Sequence, residues 1–120
     1  MEARKFLIRK LDNLAKQLSN VRLRYKYDEY EEAHVVEVTP KAVFNSDQFM
    51  LLGVEAENEF NARFPDEWLT FISDDNEDMG IDGFDGEEYT IQGLGYANSE
   101  KSQISVTVSH QRQTQKIAYA

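Results

Sequence analysis

The sequence contains no cysteine, which excludes disulfide bonds, thiolate metal sites and cysteine nucleophiles. Histidine is nearly absent too, and the two histidines, His34 and His110, lie too far apart to form a metal-ligand pair of the usual short spacing. His34 follows two glutamates that could orient it as a base, but its position near a strand end favours a partly exposed, inert side chain.

Motifs for binding phosphates or activating a nucleophile are missing as well. Gly93 and Gly95 have the spacing of the first two glycines of the dinucleotide motif, but Asn98 stands where the third glycine is required. There is no phosphate-binding loop and no nucleophile elbow. We therefore predict no enzymatic activity and no cofactor.

Long apolar runs are absent. The N-terminal segment MEARKFLIRKL has only three consecutive apolar residues, Phe6–Ile8, whereas a secretory signal needs roughly 7–15. No stretch approaches the roughly 18 apolar residues of a membrane span. We expect a soluble, cytoplasmic protein without membrane association. Its 120 residues, 41% of them hydrophobic, predict a single globular domain over residues 1–120.

Positive charge is missing from about a third of the chain. Between Phe64 and Glu100 there are eleven acidic residues and no lysine or arginine, although the net charge of the whole chain is −9. Without a nearby cation these carboxylates should repel one another. Such a segment attracts basic proteins and disfavours direct nucleic-acid binding, which depends on lysine and arginine. The predicted partner-binding residues are Asp74, Asp75, Glu77, Asp78, Asp82, Asp85, Glu87 and Glu88.

The same segment matches part of the EF-hand calcium-loop pattern. Met79 stands where that loop requires glycine for its sharp turn, and the last position has aspartate in place of the longer bidentate glutamate. Strands, not helices, are predicted on both sides. We therefore expect a connection between strands without tightly bound calcium, and keep a calcium site as an alternative. The candidate ligands of that alternative are Asp74, Asn76, Asp78, Asp82 and Asp85.

Two amphipathic helices are predicted. In residues 3–19 four leucines recur at helical spacing and form one apolar stripe. A second helix begins near Asn45 or Ser46, either of which can cap its free amides. The stripe that this helix should bury consists of Phe49, Leu52, Ala56 and Phe60.

Residues 21–39 predict a β-hairpin. Apolar and basic residues alternate up to Tyr27, and a second strand over residues 34–39 is closed by Pro40. The symmetric register opposes Leu23 to Val38, Tyr25 to Val36, and Arg24 to Glu37. Leu23 and Tyr25 should then be buried. The cations Arg22, Arg24 and Lys26 should be exposed, so that truncating Arg24 costs well under about 1 kcal/mol.

Four further strands complete the predicted fold. Residues 68–72 (WLTFI) are uncharged, which favours a strand buried inside the sheet over a helix that begins at Pro65. Strands are also predicted at Glu87–Gln92, in QISVTVS, and in QKIAYA, which pairs back with the strand before it. This order predicts an α+β fold with two layers, a mostly antiparallel sheet with two helices packed on one face.

Three functions agree with these features. The predicted one is a non-catalytic protein-binding module that uses its acidic surface to bind a basic protein surface. The alternatives are a calcium-binding domain through residues 74–85 and an anionic mimic of nucleic acid, which would need carboxylates in rows at phosphate-like spacing.

Overall fold

The computed structural model describes residues 2–74, 81–83 and 86–96, together with the backbone of residues 103–110 and 113–119. The α-helices are α1 (Glu2–Leu18), α2 (Lys41–Phe44) and α3 (Asp47–Arg63), and Ile81–Gly83 forms a short 3₁₀ helix. The strands are β1 (Arg22–Asp28), β2 (Ala33–Thr39), β3 (Trp68–Ser73), β4 (Glu87–Gln92), β5 (Gln103–His110) and β6 (Gln113–Tyr119). The α+β fold predicted from the sequence is confirmed. None of the described helices is long and apolar enough to cross a bilayer.

The six strands form one sheet in the order β3-β2-β1-β4-β5-β6. Strands β2 and β3 are parallel, and the other four neighbouring pairs are antiparallel, so the sheet is mostly antiparallel as predicted. The hairpin register is also confirmed, because Tyr25 opposes Val36 and Arg24 opposes Glu37.

The main core lies between one face of the sheet and helices α1 and α3. Tyr25 and Leu23 are fully buried there, and the ring of Phe71 in β3 meets Phe49 of α3 edge-on at 5.3 Å. Both long helices therefore cover the same face, which confirms the two-layer arrangement. The other large side chains that are fully buried in this core include Leu7, Leu11, Val36, Val38, Phe60 and Ile91.

Helix α3 begins as its sequence predicts. Ser46 is the N-cap, and its hydroxyl accepts a hydrogen bond from the amide of Phe49 at 3.2 Å. Phe49, Ala56 and Phe60 are buried as expected, whereas Leu52 is only half-buried. Leu52 lies toward α1 at the solvent side of the contact between the two helices.

Strand β3 differs from its prediction in one respect. It is a strand and not a helix, but it lies at the edge of the sheet instead of the interior, and Trp68 is 70% exposed. Both faces of β3 are apolar although the strand does not lie between two other strands, because each face packs against a different part of the chain. Phe71 packs under α3, whereas Ile72 packs on the opposite face of the sheet with Val35 and Ile81.

This second, smaller core helps to explain why two of the three cations of β1, Arg24 and Lys26, are less exposed than predicted. The prediction assumed a bare outer face, the sheet face turned away from the helices. The 3₁₀ helix covers part of that face through the fully buried Ile81. Lys26 is buried there, and the side chain of Arg24 is only 18% exposed. Arg22 is partly covered for a different reason, because its guanidinium lies 5.5 Å from the ring centre of Tyr96.

Replacing Ile81 by alanine should lower the free energy of unfolding by roughly 2–5 kcal/mol, because it deletes a fully buried side chain and leaves a cavity. Urea denaturation measures this change. The exposed Leu51 on α3 provides a control, and Leu51→Ala should stay within about 0.5 kcal/mol of the parent. Equal stability of the two variants would show that residues 81–83 do not cover the sheet.

Candidate functional site

Arg24 organises the charged groups on the outer face of the sheet. Its guanidinium donates to Glu88 through Nε (3.1 Å) and Nη2 (2.7 Å), to Glu37 through Nη1 (3.2 Å), and to Asp82 through Nη2 (2.6 Å). The hydrogen bonds to Glu88 are the largest cause that raises the pKa of Arg24, so the side chain stays charged. Arg24 thus joins carboxylates from β2, β4 and the 3₁₀ helix, and Lys26, directly opposite Glu88 in the sheet, is a second cation on the same face.

Four of the eight predicted partner-binding residues lie among the described residues, and three of them are paired with arginine. Glu88 is largely buried beside Arg24, and Asp82 pairs with Arg24 although its side chain is 81% exposed. Glu87 lies 3.4 Å from Nη1 of Arg4 and accepts a hydrogen bond from the Tyr89 hydroxyl at 2.7 Å. The prediction of carboxylates without a nearby cation is therefore wrong for these three. Asp75, Glu77, Asp78 and Asp85 lie outside the described residues.

The fourth residue, Asp74, is exposed and lies far from Glu87. Strand β3 runs parallel to β2, so Asp74 follows the end of β3 that is remote from the β1–β2 turn. Glu87 begins β4 next to that turn, because Glu88 is opposite Lys26 of β1. A strand of six residues separates the two ends by roughly 20 Å. The four described carboxylates consequently do not form one continuous patch.

The calcium hypothesis concerns the same segment. Of its candidate ligands, Asp74 and Asp82 are described, and the carboxylate of Asp82 is bound to Arg24. Asn76, Asp78 and Asp85 lie outside the described residues. The described part of the chain contains no group of three or more histidine, aspartate or glutamate side chains that could hold an ion. The calcium loop therefore stays an untested alternative.

A second acidic surface, which the sequence did not reveal, lies at the β1–β2 turn. Trp68 at the start of β3 donates its amide to the carbonyl of Glu32 at 3.1 Å, which brings residues 66–67 beside the turn. We call this surface the acidic tip, and its six carboxylates belong to Asp28, Glu29, Glu31, Glu32, Asp66 and Glu67. Asp28 orders the turn by accepting hydrogen bonds from the amides of Tyr30 (3.0 Å) and Glu31 (3.2 Å).

A cleft of about 610 Å³ opens beside the acidic tip. Tyr30 on its rim is 95% exposed, and the guanidinium of Arg4 on its floor lies 5.4 Å from the ring centre of Tyr89. Gly86 is needed where β4 meets β1, because it has φ +120° and a Cβ there would lie 2.9 Å from the carbonyl oxygen of Tyr27. The cleft is lined by Arg4, Tyr27, Asp28, Glu29, Tyr30, Gly86 and Glu87. Three carboxylates and one arginine leave it with net negative charge.

A buried hydrogen-bonded chain runs beneath the acidic tip. The Tyr25 hydroxyl lies 2.5 Å from Nδ1 of His34, and Nε2 of His34 lies 2.7 Å from Oε1 of Glu67. Burial is the largest cause that lowers the pKa of His34, which favours the neutral ring. A neutral ring satisfies every partner if Nε2–H donates to Glu67 and the hydroxyl donates to Nδ1.

The position of His34 corrects the expectation of a partly exposed side chain. It is fully buried, and its carboxylate partner is Glu67 at the start of β3 instead of the glutamates just before it. Neither His34 nor Tyr25 reaches solvent in this structure, so the chain of hydrogen bonds joins β1, β2 and the segment before β3. The alternation in the sequence predicted that Tyr25 is buried, but no local signal identified Glu67.

Comparison of the chain with protein-family models, with curated proteins and with solved structures found no match. The functional inference therefore depends on the geometry of the described residues. Their most distinctive surface is the acidic tip with its cleft.

Replacing Arg24 by alanine should lower the free energy of unfolding by roughly 2–3 kcal/mol, because it leaves Glu37 and Glu88 largely buried without the guanidinium that binds them. This loss of stability is larger than the one expected from the sequence, which was well under about 1 kcal/mol for an exposed Arg24. Chemical denaturation at pH 7 measures the change. Lys5→Ala, which removes an exposed cation, serves as the control and should cost no more than about 0.5 kcal/mol. Similar small losses in both variants would contradict a stabilising role of the Arg24 cluster.

His34 should make the fold less stable as the pH falls below about 6.5. Its pKa is lower in the folded protein than in the unfolded chain, so the unfolded chain binds more protons in that range. The free energy of unfolding should then decrease by up to about 1.4 kcal/mol per pH unit between pH 6.5 and 5.5.

Urea denaturation at pH 7.5, 6.5 and 5.5 measures this slope. His34→Gln should flatten it, whereas His110→Gln, which removes the other histidine, should leave it unchanged. An unchanged slope in His34→Gln would show that His34 is not the titrating group.

Proposed function

We propose that this protein is a non-catalytic module that binds a basic partner protein at the acidic tip. The observation that carries the proposal is the cleft beside the tip, where carboxylates and exposed tyrosine lie together. Carboxylates complement lysine and arginine, and tyrosine is enriched among the residues that dominate binding energy at interfaces. Tyr30, which is 95% exposed, provides such an anchor.

The cleft suits the side chain of a lysine or, better, an arginine from the partner. Tyr27 and Tyr30 both line the cleft, and aromatic rings attract positive charge. Asp28, Glu29 and Glu87 line the same cleft, and Arg4 compensates only one of their three charges. The planar guanidinium of arginine can also pair with a carboxylate through two parallel hydrogen bonds.

The net charge of the whole molecule also favours binding of a basic partner. A net charge of −9 attracts a basic partner over a distance, which raises the association rate, most strongly at low salt. Carboxylates that already form ion pairs within the chain contribute less to the attraction of a partner. Glu88 and Asp82 are paired with Arg24, so we place the centre of the binding surface at the acidic tip and not in residues 74–85.

The absence of catalysis is part of the proposal. Among the residues whose side chains are described, the one histidine is His34, which is fully buried together with its tyrosine partner, so neither side chain reaches the cleft surface. A cytoplasmic location is likewise proposed and not tested. No described feature favours calcium binding or nucleic-acid mimicry over the protein-binding module.

The test compares a tip variant with a variant of equal charge. Glu29→Gln, Glu31→Gln and Glu32→Gln together remove three charges from the tip, and Glu2→Gln, Asp47→Asn and Glu55→Gln remove three from exposed helix positions. A protein captured from the source cell by the parent chain is identified, purified and titrated against all three proteins by calorimetry. We expect the tip variant to weaken binding at least tenfold, about 1.4 kcal/mol, and the control variant to stay within about twofold.

Tyr30→Ala should weaken binding of the same partner by about tenfold, because it removes the proposed aromatic anchor. Equal weakening in the tip and helix variants would mean that binding depends on net charge alone, which contradicts a localised site. A partner whose contact surface carries no excess of lysine or arginine would contradict the proposal too.

A further inference from the structure

Strand β3 leaves one of its hydrogen-bonding sides open. In its parallel ladder with β2, Trp68 is bonded to β2, since its amide donates to Glu32. Backbone groups alternate in direction along a strand, so those of Leu69 and Phe71 point away from β2. Within the described residues, no backbone hydrogen bond to Leu69 or Phe71 from that open side is formed.

The residues of β3 themselves contain none of the features that usually protect an edge strand. Natural edge strands carry lysine, proline or a bulge that prevents pairing with another chain. The sequence of β3 is WLTFIS, which contains neither charge nor proline, and all six residues pair with β2 without interruption. Trp68 is 70% exposed and Thr70 is exposed. This strand is therefore ready to pair with another strand.

An apolar flank of helix α3 lies beside this edge. Met50 and Val54 are one helical turn apart and are 60% and 51% exposed. At about 100° per residue, they project roughly opposite to Glu59, which contacts Lys10 of α1. Because α3 packs on β3 through Phe49 and Phe71, the side of α3 away from α1 is the side on which β3 has its open edge.

We propose that β3 pairs antiparallel with β3 of a second copy of this chain, around a two-fold axis that passes through Thr70. The two sheets then become one continuous sheet, and the exposed flanks of the two α3 helices face each other across the axis. The interface is isologous, because each copy contributes the same strand and the same helix flank.

The sequence of β3 is complementary to itself in this register. Leu69 lies opposite Phe71 of the second copy on the helix side, Trp68 lies opposite Ile72 on the outer side, and the two Thr70 residues meet at the axis. Each pair shares one face of the sheet, as residues directly opposite in an antiparallel pair must. An axis at Phe71 would instead set Trp68 opposite Asp74, which places an exposed carboxylate against the indole.

Self-complementarity favours a second copy over the basic partner proposed for the acidic tip. The strand carries no carboxylate that would select lysine or arginine, and pairing with itself covers both the open edge and the Met50–Val54 flank. The net charge of −9 opposes association of two copies, so the dimer should become tighter as salt screens this repulsion.

Cross-linking tests the register directly. The chain has no cysteine, so Thr70→Cys introduces its only thiol. Opposite residues in a pair without mutual hydrogen bonds have Cα atoms about 4.5 Å apart, which a disulfide can span. Under mild oxidation we expect Thr70→Cys to form a covalent dimer much faster than Asn13→Cys, an exposed control on α1, which lies on the side of α3 away from the open edge. Equal rates would overturn the proposal.

Analytical ultracentrifugation in 0.15 M and 0.5 M sodium chloride supplies the reversible test. The parent chain should dimerise, more tightly at the higher salt. Thr70→Lys, which sets two ammonium groups face to face at the axis, should weaken the dimer at least tenfold while its circular dichroism spectrum stays unchanged. Asn13→Lys, which adds the same charge on α1 away from the proposed interface, should dimerise like the parent. A parent chain that stays monomeric at roughly 0.1 mM, or a Thr70→Lys dimer as tight as the parent's, would overturn the proposal.

Discussion

Strand β1 places Tyr25 and Arg24 on opposite faces of the sheet. The hydroxyl of Tyr25 and the guanidinium of Arg24 both need hydrogen-bonding partners there, and the arrangement of the other segments depends on supplying them. On the helix side, Tyr25 is fully buried, and its hydroxyl leads through His34 to Glu67. On the outer side, Arg24 binds three carboxylates, one of them from the 3₁₀ helix. Leaving either polar group buried without a partner would destabilise the fold by more than these contacts stabilise it. Segments that are distant in the chain therefore pack onto the sheet beside Tyr25 and Arg24.

The carboxylates fall into two groups, according to whether they pair with Arg24. Those that contact Arg24 stabilise the fold, and two of them, Glu37 and Glu88, are largely withdrawn from solvent. Those of the β1–β2 turn, such as Glu29 and Glu31, are exposed and remain available to a partner. A high local density of acidic residues in the sequence therefore does not identify the binding surface, because pairing with cations elsewhere in the chain decides which charges stay free.

The acidic tip and the open edge of β3 are different in chemistry. The tip combines charge with tyrosine around a cleft, whereas the edge combines unpaired backbone groups with apolar side chains. The first suits a basic partner and the second suits an uncharged strand. A dimer formed through β3 would carry two tips, and two linked sites bind a bivalent partner more tightly than one.

The sequence by itself determined the two long helices, the six strands, the hairpin register and the core face of β1, because period-two and helical apolar spacing are local properties. It also limited the N-cap of the second helix to Asn45 or Ser46 and excluded cysteine chemistry. It did not indicate the short helix α2 or the 3₁₀ helix. Only the tertiary structure decided that β3 is an edge strand, that Arg24 neutralises Glu88, that Glu67 meets His34, and that residues 28–32 form the acidic tip with Asp66 and Glu67. Residues 1–41 carry a net charge of +2, which hid the acidic turn within a basic segment. Each of these features joins residues that are far apart in the chain, and strand order and packing, not local spacing, bring such residues together.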